Sequence, residues 1–145
     1  MAITQAIANA FKKQLLEGDQ NFSSGGDVFK LALYTSSATL NSATTSFTTT
    51  NEVANSGTYA SGGGDLTGQN TSIASGVAIV DFANLSFTGV TLTARGALIY
   101  NTSSAVTNAA VAVLDFVADK TATSGTFTVQ FPAFTTAAAI LRISG

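Results

Sequence analysis

Large apolar residues recur at every fourth position near the start of the chain. They are Ile3, Ile7, Phe11 and Leu15. Polar and charged residues fill the positions between them, which is typical of an amphipathic helix. Thr4 is of a type that caps helix N-termini, and Gly18 suits the left-handed residue just past a helix end. The pattern predicts a helix over residues 4–17 within an N-terminal segment 1–18. Its apolar stripe is expected to dock on its own domain in preference to a partner.

The pattern changes period after Asp27. Phe29, Leu31 and Leu33 alternate with other residues, which predicts a half-buried strand. Residues 35–70 are rich in Ser, Thr, Asn and Gly and hold few large apolar side chains. Such a stretch predicts a long irregular region.

Short apolar runs crowd together after Gly76. The predicted strands are residues 77–82, 85–87, 90–93, 97–100, 111–116, 127–131 and 140–143. Predicted breaks fall at 88–89, 101–108, 119–125 and 132–136. These gaps suit antiparallel hairpins and leave no room for crossover helices. The sequence therefore predicts a mainly β fold: an antiparallel β-sandwich over residues 27–145, of which a jelly roll is one arrangement, preceded by one helix.

Composition and charge limit the classes of partner that the protein can have. The 145 residues make one domain, and only 10% of them are charged, against about 25% in an average protein. Most of the surface must therefore consist of short uncharged side chains. With a net charge of -2 there is no basic footprint, so no nucleic-acid partner is expected. No apolar run reaches the roughly 18 residues of a membrane span, so no membrane partner is expected either.

Two missing residue types limit the chemistry. The chain has no Cys and no His, which removes thiolate nucleophiles, Cys-ligated metals and Ser-His-Asp catalysis. An enzyme is not expected, and we assign no catalytic, cofactor-binding or metal-binding residues. Asp81 and Asp115 are the remaining acid/base candidates. Each is predicted to end a strand, where a carboxylate more often accepts hydrogen bonds from a turn.

Arg95 stands alone in the apolar or small run of residues 92–99. A buried guanidinium group needs a carboxylate partner, and Glu52, Asp81 and Asp115 are the candidates. The sequence predicts a substantially buried structural ion pair with one of them.

Four blocks, taken in order, resemble a known group of proteins. They are residues 31–40 (LALYTSSATL), 50–53 with 57–63 (TNEV and GTYASGG), 93–101 (TARGALIYN) and 113–116 (VLDF). In this order they are similar to small virion structural proteins of tailed bacteriophages. The resemblance implies a non-enzymatic virion component on the outer surface of the head. It also implies the major capsid protein as partner and a homo-trimer as the assembly.

Other functions stay open. A tail, neck or fibre module would use a loop such as residues 36–64 to contact the host surface or other tail proteins. A carbohydrate-binding β-sandwich is a rival from another class, although ten Phe, three Tyr and no Trp are poor material for stacking on sugars. An enzyme ranks third. A surface of short side chains loses little rotamer entropy when covered, and this favours an assembly role.

Overall fold

The computed structural model describes residues 2–145 and shows a mainly β protein, with 47% of residues in strands and one short helix. The elements are β1 (Ala6–Ile7), α1 (Asn9–Glu17), β2 (Phe29–Tyr34), β3 (Gly64–Asp65), β4 (Asn70–Ala74), β5 (Val77–Asp81), β6 (Leu85–Asn101), β7 (Ala109–Val129) and β8 (Leu141–Ile143). They form a five-stranded sheet in the order β1-β7-β6-β2-β3 and a three-stranded sheet in the order β4-β5-β8. All named pairs are antiparallel, which confirms the predicted mainly β, antiparallel class.

The hairpin of β6 and β7 is the largest unit of the fold. It pairs from Leu85 with Val129 to Asn101 with Ala109. Five of the predicted short strands merge into these two, and the predicted breaks at 88–89 and 119–125 are wrong because both lie inside strands. Gly89 has a φ of 61° and sits at a register shift, so it bends β6 without ending it.

The second large irregularity is a bulge in β7. Ala94 pairs with Lys120 and Gly96 with Asp115, so Arg95 alone faces residues 116–119. Val117 at the bulge has a φ of 71° and donates its N–H to Asp115 Oδ1 at 2.8 Å. Asp115 therefore lies within β7, where it fixes the bulge, and does not end a strand as predicted. Asp81 does end β5.

The N-terminal segment differs from its prediction. The helix begins at Asn9 and not at residue 4, and Ala8 precedes it without a side-chain cap, so Thr4 is not the N-cap. Ile3 forms a parallel bridge with Leu40, and β1 pairs with Val113 and Ala112 of β7. A spacing of four fits period 2 as well as period 3.6, and pairing with existing strands decides for the extended form here. Gly18 does end the helix, with a φ of 81°.

Strand β2 is buried on both faces, so the prediction of a half-buried strand is wrong. Ala32 and Tyr34 on the second face are as inaccessible as Leu31 and Leu33. Tyr100 of β6 pairs with Lys30, which lies on this second face of β2. The ring of Phe47 stacks on the ring of Tyr100, with 4.7 Å between their centroids. The irregular region after β2 thus covers the face that the alternation had left to solvent.

One hydrophobic core serves both sheets. The Phe22 and Phe29 rings stack at 4.3 Å between centroids, and Phe82, just after β5, lies 5.8 Å from Phe29 and from Phe131. Leu141 of β8 belongs to the same buried cluster. Aromatic contacts of this kind join the small sheet to the large one.

Candidate functional site

The irregular region converges on a single carboxylate, that of Glu52. It accepts hydrogen bonds from the Tyr59 hydroxyl at 2.8 Å, the Ser61 hydroxyl at 2.8 Å and the Gly62 N–H at 2.7 Å. Tyr59 Oη in turn accepts the N–H of Leu33 in β2 at 2.8 Å. Three hydrogen bonds to the Glu52 carboxylate therefore fix the loop against the strand.

All three tyrosines of the chain bind this region through their hydroxyl groups. Tyr59 bonds to Glu52, Tyr34 donates to the carbonyl of Thr48 and Tyr100 donates to the carbonyl of Gly62. Burial raises the pKa of Tyr34 and Tyr59 far above the usual range and raises the pKa of Tyr100 to about 12. The phenols are thus neutral donors near pH 7, positioned for structure.

The turn that follows requires glycine. Gly63 has a φ of 82°, and a Cβ built on it would lie 1.8 Å from the carbonyl oxygen of Leu31. This close approach lets β3 pair with β2 at Lys30 and Leu31. Lys30 and Asp65 then form an ion pair at 3.3 Å. Gly62 and Gly63 therefore form the turn that leads into β3, which begins at Gly64.

Arg95 finds one of its three predicted partners. Its Nε lies 3.4 Å from Asp115 Oδ1, and the two side chains are 35% and 23% exposed. Glu52 is engaged by the loop and Asp81 lies in the other sheet, so neither contacts Arg95 among the described residues. The ion pair with Asp115 is one of the three predicted, and it is partly buried beside the β7 bulge, where some solvent reaches the guanidinium group.

The predicted docking stripe is divided between two elements. Ile3 and Phe11 are buried, and Ile7 and Leu15 are partly buried against the same core. The four residues thus pack on their own domain, with Ile3 and Ile7 in extended chain. Leu16 beside them is 89% exposed.

A cluster of buried, hydrogen-bonded polar side chains is not predicted by the sequence. Asn101 is fully buried, and its Nδ2 donates to Gln20 Oε1 at 2.8 Å and to Asp27 Oδ2 at 2.7 Å. Its Oδ1 accepts the N–H groups of Ser103 and Ser104, which closes the turn between β6 and β7. The signal in the sequence is an Asn directly after an apolar run and followed by Thr-Ser-Ser, a common turn-forming arrangement.

Two concave regions remain open. A cavity of about 340 Å³ lies between α1 and the small sheet, lined by Phe11, Leu15 and Leu141 among others. A groove of about 510 Å³ runs beside β7, with Phe116, Ala122 and Phe127 in its wall. Within residues 2–145 there is no group of three or more acidic residues that could hold a metal ion. No helix in that range is long and apolar enough to cross a membrane.

The geometry defines an antiparallel β protein whose polar networks are devoted to holding loops and turns. A scan against protein-family models, a search of curated proteins and a search of solved structures each found no match.

Proposed function

We propose that the protein is a non-enzymatic structural component of a tailed-bacteriophage virion, and that it decorates the outer surface of the head. In this role it binds the assembled shell of major capsid protein and not the free subunits. Binding only the assembled form stabilises that form by mass action. The sequence blocks given above for this class of protein support the proposal, together with the surface described next.

The observation that carries the proposal is the outer surface of the β6–β7 hairpin. Its exposed positions on β6 before Ala94 are Ser86, Thr88, Gly89, Thr91 and Thr93, and those on β7 after Lys120 are Thr121, Thr123, Ser124, Thr126 and Thr128. None of them is charged. Short hydroxyl side chains lose little conformational entropy when a partner covers them, so this surface suits broad, permanent contact.

The organisation of the irregular region also supports a structural role. Glu52 and the three tyrosines tie residues 35–63 to β2 and β6, so this region can present a fixed surface to a partner. A surface that is ordered beforehand loses less entropy on binding. The same rigid region would serve a tail, neck or fibre module, which the experiment below separates from head decoration.

The proposal includes two finer features. The two sheets share the core around Phe29 and Phe82, and we take them as the layers of a β-sandwich. We also take self-association as part of the role, with the trimer as the arrangement that the resemblance implies.

Quantitative mass spectrometry of purified particles of the phage that encodes the chain tests the proposal. Hundreds of copies per particle, lost from heads after a wash that leaves tails attached, are expected for head decoration. A few copies per particle would assign the chain to the tail or neck. Its absence from particles would overturn the virion role altogether.

A further inference from the structure

Strand β7 has a long free edge. On the side away from β6 it pairs with β1 at Ala112 and Val113, and Ala109 at its start forms a bridge with Ser46. Within residues 2–145 no strand pairs with that side beyond Val113. Unpaired backbone groups along such an edge are a template for another strand.

Part of this edge lacks the usual protection. Natural edge strands are shielded by bulges, lysines and prolines, and here the bulge at residues 116–119, Lys120 and Pro132 flank the segment of residues 121–131 on both sides. The segment itself, TATSGTFTVQF, has no charged residue and no proline. Its one irregularity lies at Ser124, whose φ is 47° and whose N–H is taken by the Thr91 hydroxyl of β6. The flanks carry a bulge, a lysine and a proline, whereas the middle has only the one-residue bulge at Ser124 and no charged residue or proline.

We infer that the residue 121–128 edge of β7 pairs antiparallel with the same edge of a second copy, around a two-fold axis between Ser124 and Gly125. The inference rests neither on the virion role nor on the trimer, because a two-fold contact joins two copies and does not by itself build a trimer. It commits to a second copy because the edge is complementary to itself in this register. Each half, residues 121–123, then lies opposite residues 126–128 of the other copy, and the irregular Ser124 falls at the centre.

In that register the side chains on the exposed faces of the two copies are complementary. The Thr93 and Thr121 hydroxyls are 2.9 Å apart across β6 and β7, and so are those of Ser86 and Thr128. When Thr121 lies opposite Thr128 of the other copy, the Thr93–Thr121 pair of one copy meets the Thr128–Ser86 pair of the other. The four hydroxyl groups then form one row across four strands. Threonine pairs directly across strands are stabilising neighbours.

The inner face matches as well. Ala122 pairs with Leu92, and Phe127 pairs with Phe87, all on the face that contacts the core. The register places the small Ala122 opposite the large Phe127 of the other copy. Ala122 and Phe127 both line the open groove beside β7, so the grooves of the two copies meet at this contact. Small against large side chains is the combination that packs without clash.

The size of the contact predicts its strength. Eight residues at roughly 3.4 Å each give an edge about 27 Å long, and with a sheet thickness of about 10 Å the pair buries on the order of 500 Å² in total. Stable complexes usually bury about 1,200 Å² or more. We therefore expect a weak dimer that forms within a protein concentration range of about 10 μM to 1 mM and dissociates on dilution.

Charge pairs at the matched positions test the register by sedimentation velocity over that range. The variant Thr121→Lys/Thr128→Lys places lysines opposite each other twice and should weaken dimerisation at least about tenfold. The variant Thr121→Lys/Thr128→Glu places opposite charges together and should restore it. Asn70→Lys/Ser72→Lys, at exposed positions of β4 in the small sheet, is the charge-matched control and should dimerise like the wild type.

A covalent test covers the case in which the charged variants fold poorly. The chain has no cysteine, and Thr121 and Thr128 are too far apart along β7 to join within one copy. Thr121→Cys/Thr128→Cys should therefore give disulfide-linked dimers under mild oxidation, and Ser86→Cys/Thr93→Cys should not. A wild type that stays monomeric at 1 mM would overturn the inference. So would a dimer or trimer that is indifferent to the Lys/Lys change, or equal cross-linking of the two cysteine variants.

Discussion

The Tyr59 hydroxyl offers the sharpest test of how the irregular region is held. Tyr59→Phe removes only the oxygen that accepts the Leu33 N–H and donates to Glu52. Leu33 is fully buried, so its N–H is left without a partner, at a cost of about 1–3 kcal/mol. Glu52 keeps its other two donors and loses one charge-assisted bond. Together we expect a loss of about 3 kcal/mol in the free energy of unfolding, or roughly 6–12 °C in Tm.

Tyr34→Phe is the matched control. It removes a tyrosine hydroxyl from the residue that follows Leu33 in β2. The acceptor of this hydroxyl is the carbonyl of Thr48, an exposed residue that water can reach. We expect a loss of about 1 kcal/mol. Urea unfolding followed by circular dichroism measures both variants on the same scale. If Tyr59→Phe costs no more than Tyr34→Phe, the Glu52 network does not hold the loop as argued.

The same phenols predict steep alkaline unfolding. Their pKa values are raised in the folded protein, to about 12 for Tyr100, so above pH of about 10 the unfolded chain releases protons that the folded chain keeps. Stability is therefore complete below that pH and falls as pH rises, by up to about 4 kcal/mol per pH unit when all three residues contribute. Tyrosinate absorbance should rise together with the loss of the circular dichroism signal. Tyrosinate that forms first, at an ordinary pKa in a folded protein, would contradict the buried network.

Three further substitutions probe single sites by thermal unfolding. Gly63→Ala should cost at least about 2 kcal/mol more than Gly76→Ala, because both residues have positive φ but only Gly63 faces a carbonyl oxygen at close range, and equal costs would contradict this. Arg95→Ala should lower the free energy of unfolding by about 1 kcal/mol or less, because its ion pair is partly exposed. Lys120→Ala should have an effect near zero, and a loss of about 3 kcal/mol for Arg95→Ala would indicate a fully buried pair. Val117→Gly should stabilise the protein by about 1 kcal/mol, because the side chain is 76% exposed and its φ of 71° strains a β-branched residue, whereas Val117→Ala should not.

The strand positions could be predicted because apolar alternation is a local property. The breaks could not, since Gly, Ser and Thr mark a bulge inside a strand as readily as a turn between strands. At Gly89 and at residues 119–125 the choice depends on whether a partner strand continues alongside, and that partner lies 26 or more residues away in the chain, as the pair of Ala94 and Lys120 shows. Periodicity carries no information on a contact at that distance.

The site was less predictable than the fold for a related reason. The sequence indicates Glu52 only as a candidate partner for Arg95, yet the hydrogen bonds to its carboxylate come from Tyr59 and from the turn at residues 61–62. These lie within ten residues of Glu52, close enough that three polar groups around one carboxylate could have been weighed from sequence. The link to β2 could not, because the N–H of Leu33 becomes available to Tyr59 only after the irregular region has folded back over the strand.

Scarce charge and a free strand edge act together. With 10% charged residues and a net charge of -2, repulsion between copies is small, so the bulges of β7, Lys120 and Pro132 limit pairing at the free edge. A contact of about 500 Å² holds two free molecules weakly. The same contact becomes effective when neighbouring copies are already fixed side by side, because the second binding event is then intramolecular and its effective concentration is in the millimolar range. A weak, self-complementary edge is therefore suited to a protein that should stay dispersed in solution and should cohere only after a larger surface has ordered its copies.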